Sequence, residues 1–254
     1  MILGQLAGSS LSGLLADVVG WRGVFYVAAA IAGVAFLAVS VGVRGQAATR
    51  SVFSFAVAMT RYRQLLANPR ARALFALVFF EAIAIMGVLP FIAPLLAERD
   101  AGGPTQAGIA LAGFAVGGLI YSGLVRWMLR RMGIYRMLIG GGLSSALALA
   151  SLGSLDDWRL VTAALTLLGL GFYMMHNSFQ TQVTELSVEA RGSAVALHAC
   201  SFFLGGAAGP VIFGYGSTIF GANATLLMLA GLIFSLGFIA AWALKATAPQ
   251  LRAR

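Results

Sequence analysis

The chain has 254 residues, 60% hydrophobic and 10% charged, whereas a soluble domain carries about 25% charged residues; this excludes an ordinary soluble fold and predicts an all-α, polytopic membrane protein. One cysteine, Cys200, excludes an internal disulfide and a thiolate metal cluster, and two histidines are too few for a histidine-rich metal site. The formal net charge of +9 reads as basic loops that face anionic lipid and set topology, so the lipid bilayer and no nucleic acid is the expected partner.

A helix needs about 20 apolar residues to cross the hydrocarbon, and about eight segments qualify, at roughly 2–18, 23–43, 72–97, 105–127, 134–154, 159–182, 192–217 and 222–244. The first begins uncharged at Met1 and further membrane segments follow at once, so no cleaved signal peptide is expected. Residues 45–71 form the long connection, flanked and filled by Arg44, Arg50, Arg61, Arg63, Arg70 and Arg72 with no acid among them. Within it, SVFSFAVAMTRYRQLL mixes Phe53, Phe55, Met59 and Leu66 with Arg61 and Arg63, the pattern of an amphipathic helix on a membrane surface. Asn68-Pro69 then supplies a cap and a first-turn proline for the next helix.

Basic residues divide fourteen to three between the two sides of this topology, with Arg22, Arg99 and Arg159 the minority. The richer side is expected to be cytoplasmic, with both termini there and the protein in a bacterial inner membrane. Residues 246–254 are then a cytoplasmic tail.

Glu81 is the sharpest candidate site. It lies nine residues past Arg72, about 13 Å deep and close to the midplane, where an ionisable residue is costly and by default functional. Such a group faces a cavity or a partner; a protonated or hydrogen-bonded Glu locking two helices is the structural alternative. The same helix carries Gly87, Pro90 and Pro94 in MGVLPFIAP, a kink that can be a hinge or static.

MMHNSFQTQ, residues 174–182, interrupts an otherwise apolar helix with His176, Asn177, Gln180 and Gln182. His176 falls about 25 Å from the helix entry near Arg159, about 5 Å from the basic boundary, which makes His176, Asn177 and Gln180 candidates for an inner vestibule. His198, seven residues past Arg191, is a further candidate, as switch or as interhelical hydrogen-bonding group. Gly4/Gly8, Gly113/Gly117 and Gly205/Gly209, the last followed by Pro210, have the spacing that lets helices pack closely. No catalytic constellation, metal spacing or phosphate loop is present in the sequence, so no enzyme activity, cofactor or metal is expected.

Several stretches resemble the major facilitator superfamily: GLLADVVGWRGVFYV at 13–27, the Arg-rich connection after Arg44, GLVRWMLRRMGIYRM at 123–137 and TELSVEARGSAVALHACSFFLGGAAGP at 184–210. The resemblance is to the C-terminal two-thirds of a drug/proton antiporter-like member, family helices five to twelve, with the first four missing. It implies that residues 1–44 are the last two helices of one half and residues 72–245 the other six-helix half. It also implies a secondary transporter that moves a small molecule by alternating access, proton-coupled and efflux-type, with protons and the absent helices as partners. A truncated, non-transporting fragment that is inactive or assembles with another membrane chain is the alternative. Glu81 would lie on the seventh helix, which lines the cavity, its roles being protonation coupled to transport or contact with a cationic substrate group, and His176, Asn177 and Gln180 on the tenth, beside the cavity. Arg126, Arg130, Arg131 and Arg136 would form a cytoplasmic gating loop. The sequence departs from the family pattern at Ser9 and Ser12 in GSSLSG and at Trp127, near the place of an Asp in the basic loop.

Overall fold

The computed structural model describes residues 2–42, 54–187 and 189–247; the expected linker before 54 and most of the expected tail lie outside them. Eight α-helices follow in chain order: α1 (Ile2–Gly42), α2 (Phe55–Ala67), α3 (Pro69–Met86), α4 (Ile92–Glu98), α5 (Pro104–Leu152), α6 (Trp158–Thr184), α7 (Arg191–Phe220) and α8 (Ala222–Ala246). A single 3₁₀ turn at Leu89–Phe91 separates α3 from α4, and no strand occurs among the described residues. Six helical stretches among these residues are long and apolar enough to cross a membrane.

Local chemistry sets the helix ends. Ser54 accepts a hydrogen bond from the Val57 amide at 3.4 Å and opens α2. Asn68 Oδ1 accepts from the Arg70 amide at 2.9 Å and Pro69 occupies the first turn of α3, so the Asn-Pro pair starts this helix as the sequence predicts. In the expected hinge region, regular α-helix stops at Met86 and resumes at Ile92, with Pro90 in the intervening turn and Pro94 in the first turn of α4. Pro210, by contrast, lies inside an unbroken α7.

Two helices are interrupted by a glycine. Gly20 in α1 has φ 69° and ψ 170°, and Gly133 in α5 has φ 70° and ψ 168°, a region essentially closed to residues with a Cβ. At Gly133 the chain doubles back. Gly113 lies against Thr162 and Gly117 against Leu170, so the first arm of α5 runs with α6. Gly141 lies against Met175 while Ser145 lies against Gly171, so the second arm runs against it. The segments expected at 105–127 and 134–154 are these two arms.

Arg99 closes one end of the bundle. Its guanidinium donates to the carbonyls of Leu152, Leu155 and Gly153 at 2.9, 2.8 and 2.9 Å, and to Asn223 Oδ1 at 3.3 Å. A cation on the last carbonyls of a helix satisfies orphan acceptors and suits the helix dipole. Arg70 closes the other end: it donates to the Thr247 carbonyl at 2.6 Å and to Gln182 Oε1. The starts and ends of α3, α6 and α8 therefore meet at this second, basic end.

Candidate functional site

Between α3, α6 and α7 the fold gathers three polar side chains that the sequence spaces 95 and 22 residues apart. Glu81, fully buried on α3, meets His176 of α6, with Oε2 and Nδ1 2.9 Å apart. The ring of His198, on α7 and 3% exposed, lies 5.2 Å from the His176 ring, centroid to centroid. At 1.5 Å per residue, Glu81 is about 16 Å and His176 about 9 Å inside the Arg70–Gln182 contact.

Glycine packing sets this approach. A Cβ on Gly209 would stand 2.8 Å from the Gly87 Cα, and one on Gly205 would collide with the Phe79 carbonyl. Only hydrogen side chains let α7 lie this close to α3, and His198 sits two helical turns before the crossing. Aromatic rings wall the cluster. Phe172 stacks on His176 at 4.9 Å and 23°, and Phe202 meets it edge-on at 4.8 Å and 61°. Each Phe is four residues from a histidine of its own helix, so each pair shares a helix face. That spacing, Phe172/His176 and His198/Phe202, is the signal in the sequence that marks these two phenylalanines.

Two polar atoms of the cluster, Glu81 Oε1 and His198 Nε2, are buried without a hydrogen-bond partner among the described residues. Such atoms cost free energy unless something satisfies them. The Glu81–His176 contact can be held as a neutral pair or an ion pair of the same net charge. Adding one proton leaves a net positive charge, and removing one leaves a negative charge. In a medium of low dielectric constant either change is costly unless a compensating group arrives. The arrangement therefore ties its proton count to what enters beside it.

The other sequence candidates are dispersed. Asn177 lies beside Tyr121 of α5, a neighbour that no sequence pattern announced. Gln180 is exposed, while Gln182, next along, joins Arg70 and donates to Glu185 Oε2 at 3.2 Å. Arg126, Arg130, Arg131 and Arg136 are all exposed around the Gly133 reversal. Gly87, Gly205 and Gly209 serve the α3–α7 crossing described above.

A family model described as Major Facilitator Superfamily matches residues 1–187 and again 74–254, together the whole chain. The chain belongs to the Major Facilitator Superfamily. It is accordingly a multi-pass membrane transporter, from a family of transporters rather than enzymes. Residues 74–187 of this superfamily member fall in both matches, as suits a family built from repeated halves. No curated protein matches the chain.

Proposed function

We propose that this superfamily member is a secondary transporter that moves a small molecule by alternating access, exchanging it for protons in an efflux-type cycle. The observation that carries this reading is the contact between fully buried Glu81 and half-buried His176. It is an ionisable contact at membrane depth whose protonation changes the charge of the bundle interior, the feature expected of an intramembrane proton carrier. His198 is the third member of the cluster, and its partnerless Nε2 offers the proton or the substrate a second landing point. The reading has the chain cross the bilayer eight times, with both termini on the cytoplasmic side of a bacterial inner membrane; the non-helical glycines Gly20 and Gly133, which interrupt α1 and α5, support that count.

In this cycle a cationic substrate group and a proton compete for Glu81. The proton neutralises the carboxylate and releases the substrate; loss of the proton readmits it. The break between α3 and α4 at Gly87–Pro90 gives the helix that carries Glu81 a place to bend. Ethidium, a cationic probe, tests the proposal in liposomes that hold the full chain and a pH-sensitive dye. An imposed pH gradient should drive ethidium movement accompanied by counter-movement of protons, and Glu81→Gln should abolish both. Ethidium movement that ignores the gradient, or that is equal in Glu81→Gln, contradicts it.

A further inference from the structure

The wall between α3 and α8 holds a groove of about 340 Å³, away from the Glu81 cluster. Ala73, Ala76 and Phe80 of α3 face Leu232, Ser235 and Ile239 of α8 across it. The Ser235 hydroxyl donates to the Gly231 carbonyl of its own helix at 2.8 Å, so the groove offers hydrocarbon and no free polar group. Its α8 wall, from 232 to 243, runs about 16 Å along the helix. It is aligned with the bundle, as a lipid tail would be.

The groove leads to the basic end, where Arg70 ties the start of α3 to the Thr247 carbonyl. Arg72 stands there at the rim, four residues before Ala76 and eight before Phe80, hence on their side of α3. Its side chain is exposed; its amide donates to the Asn68 carbonyl at 3.1 Å, while its guanidinium makes no hydrogen bond or ion pair among the described residues. On α8, Trp242 is 73% exposed, placing an indole donor at the depth where aromatic belts meet headgroups. A free guanidinium and an indole N–H above a hydrocarbon slot complement a phosphate joined to an acyl chain. A polar substrate would find no partner below the rim.

We propose that this groove binds one acyl chain of an anionic phospholipid, with its phosphate held by Arg72 beside Trp242. The probes are dioleoyl phosphatidylglycerol, dioleoyl phosphatidylcholine and soluble glycerol 3-phosphate, added to the delipidated full chain in a neutral maltoside and read by native mass spectrometry. The full chain should retain phosphatidylglycerol over phosphatidylcholine by about fivefold, the effect of one basic residue at an anionic surface. Arg72→Gln should remove that preference while both lipids still bind. Ala76→Phe should fill the groove and lower the retention of both; if it fails to elute as a folded monodisperse species, Ser235→Phe does the same from the opposite wall. Arg130→Gln, at the same end but on the α5 reversal, should leave the preference intact. Four results overturn the site: a preference that survives Arg72→Gln, lipid retention unchanged by a filled groove, a preference equally lost in Arg130→Gln, or glycerol 3-phosphate competing as well as the whole lipid.

Discussion

Glu81 Oε2 and His176 Nδ1 lie 2.9 Å apart, 95 residues distant in sequence and joined across α3 and α6, with the carboxyl fully buried. Each is the other's polar partner inside the bundle, and the main predictions follow from that dependence.

Removing one partner should cost more than removing both. His176→Leu leaves Glu81 with neither oxygen bonded, a loss of about 3–5 kcal/mol for a buried pair. Glu81→Leu combined with His176→Leu replaces the pair with hydrocarbon of similar volume, which is often neutral or stabilising. Thermal unfolding in detergent should therefore rank the double variant above His176→Leu, while the double variant transports nothing. A double variant less stable than His176→Leu would mean that the pair is a net stabiliser.

His198 carries a partnerless Nε2 5.2 Å, ring to ring, from His176. His198→Phe should keep the ring packing, hold stability within about 1.5 kcal/mol of wild type, and change the pH profile of ethidium transport in liposomes. A profile superimposable on that of wild type would remove His198 from the proton pathway.

At the α3–α7 crossing, Gly209 has no room for a side chain, since its Cβ would stand 2.8 Å from the Gly87 Cα. Gly209→Leu should force the helices apart at a cost of roughly 1–3 kcal/mol, lowering the unfolding temperature. Gly8→Leu, where nothing lies within 4 Å of the added Cβ, should be tolerated. Equal melting temperatures for the two variants would contradict the packing role.

Arg99 should act as a clamp. Its guanidinium serves three carbonyls at the end of α5 and Asn223 at the start of α8. Arg99→Ala should cost roughly 3 kcal/mol, since hydrogen bonds to charged groups contribute about 1.5–3 kcal/mol each and several are partly exposed. Arg99→Lys should recover only part of this, because an ammonium cannot reproduce the fork. Denaturant titration checks both substitutions.

The helices were legible in the sequence because lipid permits little else: long apolar runs must be helical, and Asn68-Pro69 marks a start that the structure shares. Glu81 was legible as a buried carboxyl for the same reason. Its partner was not. Counting residues from the boundaries put His176 near the basic surface and Glu81 near the midplane, at different depths. Such counting assumes upright helices with level ends, and tilt breaks that assumption. Measured from the Arg70–Gln182 contact, the two differ by about 7 Å along their axes, a gap that tilt and two long side chains close. Asn177 is a candidate by residue type, but its Tyr121 neighbour comes from the doubling-back of α5 at Gly133, which no periodicity encodes. Gln180 shares a face with His176 by spacing, yet the structure leaves it exposed past the end of the cluster.

The central claim, that Glu81 is the proton-handling group of the bundle, is tested most directly by infrared difference spectroscopy of the full chain in liposomes stepped across pH. Glu81 is the only fully buried carboxyl among the described residues, so one carboxyl C=O band from an apolar environment should appear and vanish with pH. It should be missing in Glu81→Gln and titrate at a different pH in His176→Gln. A buried-carboxyl band that persists unchanged in Glu81→Gln, or a wild-type protein with no such band at any pH, would contradict the account.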